Sequence, residues 1–141
     1  MDDLKTAQQC AETMLANDRS SQAMGVSIEM VAPGKAIARM RVRDDMLNGF
    51  AVIHGGLTFA LADTAFAFAC NSYDQQSFAA AAQIEFLRPA VAADVLTATA
   101  SEDYRGRRNG YYTVEVRNQR DELVALFRGR SASSSKPVIQ S

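Results

Sequence analysis

The sequence has little cysteine and histidine, and these shortages exclude several kinds of site. Among its 141 residues are two cysteines, Cys10 and Cys70, too few for the disulfide framework of a small secreted domain or for a cysteine zinc site. His54 is the only histidine, which excludes a histidine metal cluster and makes it the one candidate for histidine chemistry. We therefore predict no bound metal, no cofactor and a reducing, cytoplasmic location.

The sequence also lacks an excess of charge of either sign and a long apolar run. Its 15 lysines and arginines are balanced by 16 acidic residues, which argues against a nucleic-acid partner. The longest apolar run, residues 55–70, is shorter than the roughly 20 residues that span a bilayer, and it contains Asp63. Residues 1–20 contain no apolar signal-peptide core. We predict no membrane association and no nucleic-acid binding.

The hydrophobic pattern is typical of one α+β domain. Its periodicity predicts helices over 3–17 and 55–71, a loop over 44–54, and strands over 25–33, 35–43, 77–87, 93–103, 111–119 and 122–130. The second helix is apolar on nearly every side, so we expect an antiparallel sheet to curl around it. We predict an N-terminal helix in residues 1–20, a single domain over 21–131 and a flexible polar tail over 132–141.

His54-Gly55-Gly56 stands at the predicted start of that central helix. The first amides of a helix have no partner within the helix, and the helix dipole adds partial positive charge there. A carbonyl oxygen that develops negative charge would be stabilised at this point. The alternative is that the two glycines only permit a tight turn into the helix.

Asp63 is the one charged residue in the central apolar run. No lysine or arginine lies three or four residues away from it on the same helix, so a more distant group pairs with it or it faces a cleft. Burial would raise its pKa, which suits a general base or a nucleophile. The alternative is a structural carboxylate that is hydrogen-bonded across an interface.

Gly55 and Asp63 cannot act on the same carbonyl within one chain. Eight residues of helix separate them by roughly 12 Å, whereas reacting atoms need contacts of about 3–3.5 Å. A site that uses both residues therefore predicts a homodimer with the site at its interface. His54 is either a base or an orienting residue, and Asn48 either holds water or the thioester or serves its turn.

The order Asn48-Gly49, His54-Gly55-Gly56 and Leu61-Ala62-Asp63-Thr64-Ala65 resembles the hot-dog fold acyl-CoA thioesterases, in particular the PaaI-type group of phenylacetic acid degradation. FLRPA at 86–90, ADVLTATA at 93–100 and LVALFRGRS at 123–131 extend the resemblance. It implies a curved antiparallel sheet around a long helix, dimers that often pair into tetramers, and hydrolysis of a coenzyme A thioester.

The resemblance also implies roles for particular residues. Asp63 would be the nucleophile or the base for water, Asn48 would position water or substrate, Gly55 of the opposite subunit would polarise the carbonyl, and His54 would support them. We expect the remaining substrate contacts from Gly56 and Thr64, from Phe50, which stands where this group often has a polar residue, and from the turn-flanking arginines Arg88, Arg107 and Arg108.

The resulting hypothesis is an acyl-CoA thioesterase that acts on phenylacetyl-CoA or a related hydroxylated aryl-CoA, as a dimer of dimers. Two alternatives stay open at this point. One is a hot-dog acyl-CoA hydratase or dehydratase that uses His54 with Asp63, and the other is a non-catalytic acyl-CoA-binding domain.

Overall fold

The structure is a computed structural model that describes residues 2–139. In chain order its elements are helices α1 (Asp3–Asn17) and α2 (Arg19–Ala23), strands β1 (Ser27–Ala32) and β2 (Lys35–Arg41), a short 3₁₀ helix (Asp44–Met46), helix α3 (Gly55–Cys70), and strands β3 (Ser77–Phe86), β4 (Val95–Arg105), β5 (Asn109–Arg117) and β6 (Leu123–Ser133). Within that range no helix is both long and apolar enough to cross a membrane.

All six strands form one antiparallel sheet in the order β1-β2-β4-β5-β6-β3. The sheet packs on α3, as the predicted hot-dog arrangement requires. Alternate residues of β2 and β4 that face α3 are small and fully buried, among them Ala36, Ala38, Ala98 and Ala100, so the helix lies close to the sheet. The predicted fold is thus confirmed.

Aromatic side chains fill the space between α3 and the other half of the sheet. Phe66 of α3 lies edge-on to Tyr112 of β5, with ring centroids 5.5 Å apart, and is 5.7 Å from the ring of Phe127 on β6. Phe59, two helical turns earlier on α3, makes an edge contact with Phe127 at 5.4 Å. These contacts hold α3 at a fixed position and rotation relative to β5 and β6.

Two short segments differ from the sequence-based expectation. Helix α2 was not predicted because five residues are too few to show an apolar period; it forms because the Asp18 carboxylate accepts hydrogen bonds from the Ser21 amide at 3.0 Å and hydroxyl at 2.6 Å. Strand β4 begins two residues late because Ala93 has a positive φ of 72°. The Asp94 carboxylate closes that turn on the Val91 amide at 2.9 Å.

The C-terminal residues differ from the flexible tail predicted over 132–141. Strand β6 continues to Ser133, and the segment 134–139, which we call the C-terminal strap, lies against the loop that follows α3. Its Ser134 amide donates to the Gln76 carbonyl at 2.8 Å, and the Gln76 amide donates to the Lys136 carbonyl at 2.8 Å. Residues 140–141 lie outside the described range.

Gly129 of β6 offers a test of how tightly the core is packed. A Cβ at this position would lie 2.9 Å from ring atoms of Phe66 and 3.0 Å from Phe127. Because Phe66 is buried and cannot swing away, we expect Gly129→Ala to lower the free energy of unfolding by about 1–3 kcal/mol. Urea titration of both the variant and the control Gly49→Ala, where a Cβ meets no atom within 4 Å, checks this. Equal midpoints in the two variants would contradict it.

Candidate active site

The start of α3 leaves one backbone donor unused. The His54 side chain caps the helix: its Nδ1 accepts the Gly56 amide at 3.0 Å, while its carbonyl accepts the Leu57 amide at 2.9 Å. The Gly55 amide donates to no acceptor within residues 2–139. Gly55 therefore presents a free N–H at the positive end of the helix dipole, and the His54 side chain is engaged in capping the helix.

A groove of about 330 Å³ runs past Gly55. Phe86 at the end of β3 is one wall, and a Cβ on Gly55 would lie 3.3 Å from its ring. Arg88 is another, with its guanidinium 3.4 Å from the Glu122 carboxylate and about half of its side chain exposed. The groove thus combines an apolar wall, a free amide and a cation, which suits an ester that carries negative groups farther out.

The loop before α3 is ordered by Asn48. Its side-chain Oδ1 accepts a hydrogen bond from the Phe50 backbone amide at 2.9 Å. The Asn48 backbone amide donates to the Val52 carbonyl at 2.8 Å, which closes a small turn inside the predicted loop. The Asn48 Nδ2 group has no partner within the described residues and remains available to a ligand. Phe50 at the tip of this turn is 89% exposed.

Asp63 lies half-buried in the middle of α3 and makes no hydrogen bond or ion pair with another described residue. Desolvation by burial raises its pKa above the usual range. It shares one helix face with Gly56, Ala60 and Ala67, which are all at least partly exposed. Its neighbour Thr64 is not free to bind a ligand in the same way, since its hydroxyl donates to the Ala60 carbonyl at 2.6 Å.

One chain does not bring all of the predicted residues together. Gly55 and Arg88 share a groove, but Asp63 lies two helical turns along α3, roughly 12 Å from Gly55. Arg107 and Arg108 lie in the β4–β5 hairpin, beside Ser133 and so at the opposite end of the sheet. The Gly56 amide, a predicted substrate contact, is already used by His54.

Sequence reasoning missed Phe86 as a wall of the site. Phe86 stands in a predicted strand and in the FLRPA segment without a predicted role in the site, and its contact with Gly55 depends on how β3 packs beside α3. Its one sequence signal is an aromatic residue directly before the Leu-Arg-Pro segment that leads into the groove.

Comparison with known proteins identifies the family. The model of the thioesterase superfamily matches residues 50–125, more than half of the chain. This chain belongs to the thioesterase superfamily. It is 47% identical over 125 residues to the acyl-coenzyme A thioesterase PaaI of Escherichia coli, covering 89% of each chain. The resemblance drawn from the sequence motifs is confirmed.

Other relatives agree with that membership. The solved structure of the E. coli PaaI protein from the phenylacetic acid degradation operon superposes with a TM-score of 0.95 at 43% identity, covering 96% of this chain and 99% of that one. A putative esterase of Archaeoglobus fulgidus is 34% identical over 116 residues, covering 82% of this chain and 75% of its own. This thioesterase-superfamily chain therefore has the hot-dog fold along nearly its whole length.

The raised pKa of Asp63 predicts a pH-dependent effect on the free energy of unfolding. Because its pKa is higher in the folded chain than in the unfolded one, ionised Asp63 destabilises the fold at neutral pH, and this cost vanishes once both states are protonated in acid. We expect Asp63→Asn to raise the melting temperature at pH 7 and to lose that advantage as the pH falls below about 4. Calorimetry of the wild type and of Asp63→Asn across pH 3–8 measures this difference in melting temperature.

Asp94 provides a control of opposite sign. Burial raises its pKa, but hydrogen bonds from the Val91 amide and Gln119, with Arg120 nearby, outweigh this and leave the pKa lowered. Asp94→Asn should therefore lower stability at neutral pH and matter less in acid, below the lowered pKa. Matching pH profiles for the two variants would contradict both assignments.

Proposed function

We propose that this protein hydrolyses acyl-CoA thioesters, with phenylacetyl-CoA or a hydroxylated aryl-CoA as the preferred substrate, at a site that two copies of the chain build together. The observation that carries the proposal is that α3 holds an unpaired carboxylate and an unused amide too far apart to meet within one chain. The 47% identity to an acyl-CoA thioesterase supports the reaction class.

Strand β3 is the edge that we assign to the dimer. It lies at one end of the sheet, and nearly all of its ten residues are exposed. Its centre, residues 79–82, is four alanines, and Phe78 and Phe86 near its ends are 62% and 57% exposed. A long, mostly apolar edge whose one charged residue is Glu85 would aggregate if left open, whereas antiparallel pairing with β3 of a second copy covers it.

Such pairing also supports a composite site. A two-fold axis near Ala82 would bring Phe78 beside Phe86 of the second copy, and the exposed face of α3 would run antiparallel to its equivalent. Asp63 would then approach the groove at Gly55 of the second copy. The same symmetry generates a second, identical site, and a further pairing of dimers completes the proposed tetramer.

The chemistry follows from the two groups. The thioester carbonyl oxygen accepts the Gly55 N–H, so the negative charge of the tetrahedral intermediate develops at the positive end of α3. Asp63 of the other copy either removes a proton from water, whose oxygen then attacks the carbonyl carbon, or attacks that carbon itself and forms a mixed anhydride, which water then hydrolyses to release the acid and regenerate the carboxylate. The carbon–sulfur bond breaks, and the coenzyme A thiolate takes up a proton. Asn48 Nδ2 would orient the water or the substrate.

Coenzyme A requires cations for its phosphates. Arg88 borders the groove at Gly55, and in the antiparallel dimer Arg107 and Arg108 of the second copy would lie at the same end of the joined sheet. We assign these arginines to the nucleotide part of the substrate and Phe50 to the mouth of the groove. Gly56 and Thr64, whose polar groups are already bonded, shape the helix rather than bind the ester.

Replacing Gly55 with proline tests the contribution of its backbone N–H to catalysis. Gly55→Pro removes the N–H at a helix start, where proline is tolerated, and His54 with its ψ of 128° already has the conformation that precedes proline. We expect kcat for phenylacetyl-CoA to fall about 100- to 1,000-fold, the usual effect of losing one oxyanion donor. A thiol-release assay measures it.

The matched control is Gly55→Ala, which keeps the N–H while placing a Cβ against Phe86 at the same 3.3 Å. If the alanine variant lost as much activity as the proline variant, the defect would be crowding at Phe86, and the role of the amide would be refuted. If wild-type protein bound the esters and released no thiol from any of them, the proposed hydrolase would be refuted in favour of a binding domain.

Mixing two inactive variants tests the composite site. A heterodimer of Asp63→Asn and Gly55→Pro chains has one site with both functional groups intact and one with neither. After subunit exchange at equal concentrations we expect about a quarter of wild-type activity to return, since half of the dimers are mixed and each has one working site. Each variant exchanged with itself is the control, and no recovery in verified heterodimers would place both groups of the site in one chain.

A further inference from the structure

A second cavity of about 520 Å³ lies at the other end of α3, enclosed by α1, α3, the start of β3 and the C-terminal strap. Its apolar walls are Met14, Ala67, Phe78 and Val138. Val138 is only 7% exposed although it stands one residue before the end of the described range. The cavity is therefore closed on one side by a segment that sequence composition assigns to a loose tail.

The cavity begins one helical turn from the candidate catalytic carboxylate. Ala67 follows Asp63 by four residues on the same half-exposed face of α3, so their Cβ atoms lie roughly 5–6 Å apart. Under the proposed function, the coenzyme would approach from the groove at Gly55 of the second copy. The acyl group would then extend past Asp63 in the opposite direction, toward Ala67.

The strap is held by contacts that leave the cavity free. The Val138 and Ile139 amides both donate to Asp74 Oδ1, at 3.0 and 2.8 Å, and the Gln75 side chain donates to the Ser134 carbonyl at 2.8 Å. Asp74 itself has a positive φ of 59°, so the loop adopts a sparsely populated backbone conformation to present this carboxylate. Val138 thus reaches the cavity as a fixed side chain.

The lining defines a chemical class of acyl group. Of the described residues that line the cavity, none is charged, so a terminal carboxylate would have no counter-charge there, and Asp63 one helical turn away would repel it. The side-chain nitrogens of Asn17 and Gln76 donate to backbone carbonyls, while Asn17 Oδ1 and Gln76 Oε1 accept no hydrogen bond from residues 2–139. These oxygens can accept a hydrogen bond from a neutral hydroxyl on the acyl group.

We propose that the C-terminal strap is a specificity element of the thioesterase: Val138 forms the wall of an acyl pocket that admits neutral aryl groups, with or without a hydroxyl, and rejects acyl groups that end in a carboxylate. This inference rests on the proposed function and extends it to the substrate class. The wall comes from residues beyond the 50–125 region that the superfamily model matches.

The test narrows the pocket without altering the candidate catalytic groups. Val138→Trp should lower kcat/KM for phenylacetyl-CoA at least about tenfold, while kcat/KM for acetyl-CoA, whose acyl group is too short to reach the strap, changes less than about twofold. Ile139→Trp is the matched control, since it adds the same side chain to the next residue, which does not line the cavity. The chain has no tryptophan of its own, so the fluorescence of each variant reports its folding.

Equal losses for both esters in Val138→Trp, or the same selective loss in Ile139→Trp, would overturn the proposal. A wild-type kcat/KM for glutaryl-CoA, an ester with a terminal carboxylate, that matched the value for phenylacetyl-CoA would also overturn it. Failure of the hydrolase proposal is distinguishable, because wild-type protein would then release no thiol from any ester. In that case binding of a non-hydrolysable phenacyl thioether of coenzyme A, compared between wild type and Val138→Trp, tests the pocket by affinity alone.

Discussion

The separation of two groups on one rigid helix is the constraint on which the rest of the structure depends. Helix α3 carries a free amide at Gly55 and an unpaired carboxylate at Asp63, and buried alanines and aromatic rings hold it against the sheet so that neither can move toward the other. A flexible loop could fold one group back onto the other, but a packed helix cannot. Chemistry that needs both groups on one carbonyl therefore has to come from two chains, and assembly becomes part of catalysis.

The same constraint gives a reason for surface features that would otherwise weaken a single chain. The alanine-rich edge of β3 is exposed, and so in part is the face of α3 that carries Ala60 and Asp63. An isolated subunit would leave an aggregation-prone strand edge and a half-buried carboxylate without a partner. In the proposed dimer the second copy covers the edge and brings its Gly55 groove to Asp63, so one assembly accounts for both features.

The sequence predicted the parts of this architecture that depend on composition and period. A helix that is apolar all round needs a sheet to surround it, and a lone carboxylate such as Asp63 within it is visible without coordinates. What the sequence could not predict depends on single hydrogen bonds and on packing. No pattern in the sequence indicates that the His54 side chain accepts the Gly56 amide and leaves the Gly55 amide free. The same holds for the hydrogen bonds by which Asp18 starts a short helix and Asp74 holds the C-terminal strap.

The features that the sequence predicted and those that it did not predict belong to two different functions of the chain, reaction with the thioester and selection of the acyl group. The groups assigned to chemistry, Gly55 and Asp63, lie within the 50–125 region that the superfamily model matches, on an element whose pattern is strong. Two walls of the acyl cavity, Met14 on α1 and Val138 on the strap, lie outside that region, and the strap is held by a few hydrogen bonds to the loop after α3. A carboxylate and an amide fixed on a packed helix can serve any thioester, so discrimination between acyl groups has to come from elements that can change without disturbing α3. The two chain ends meet that requirement, since a substitution there alters the shape of the cavity and leaves the helix, the sheet edge and the spacing of the reacting groups intact.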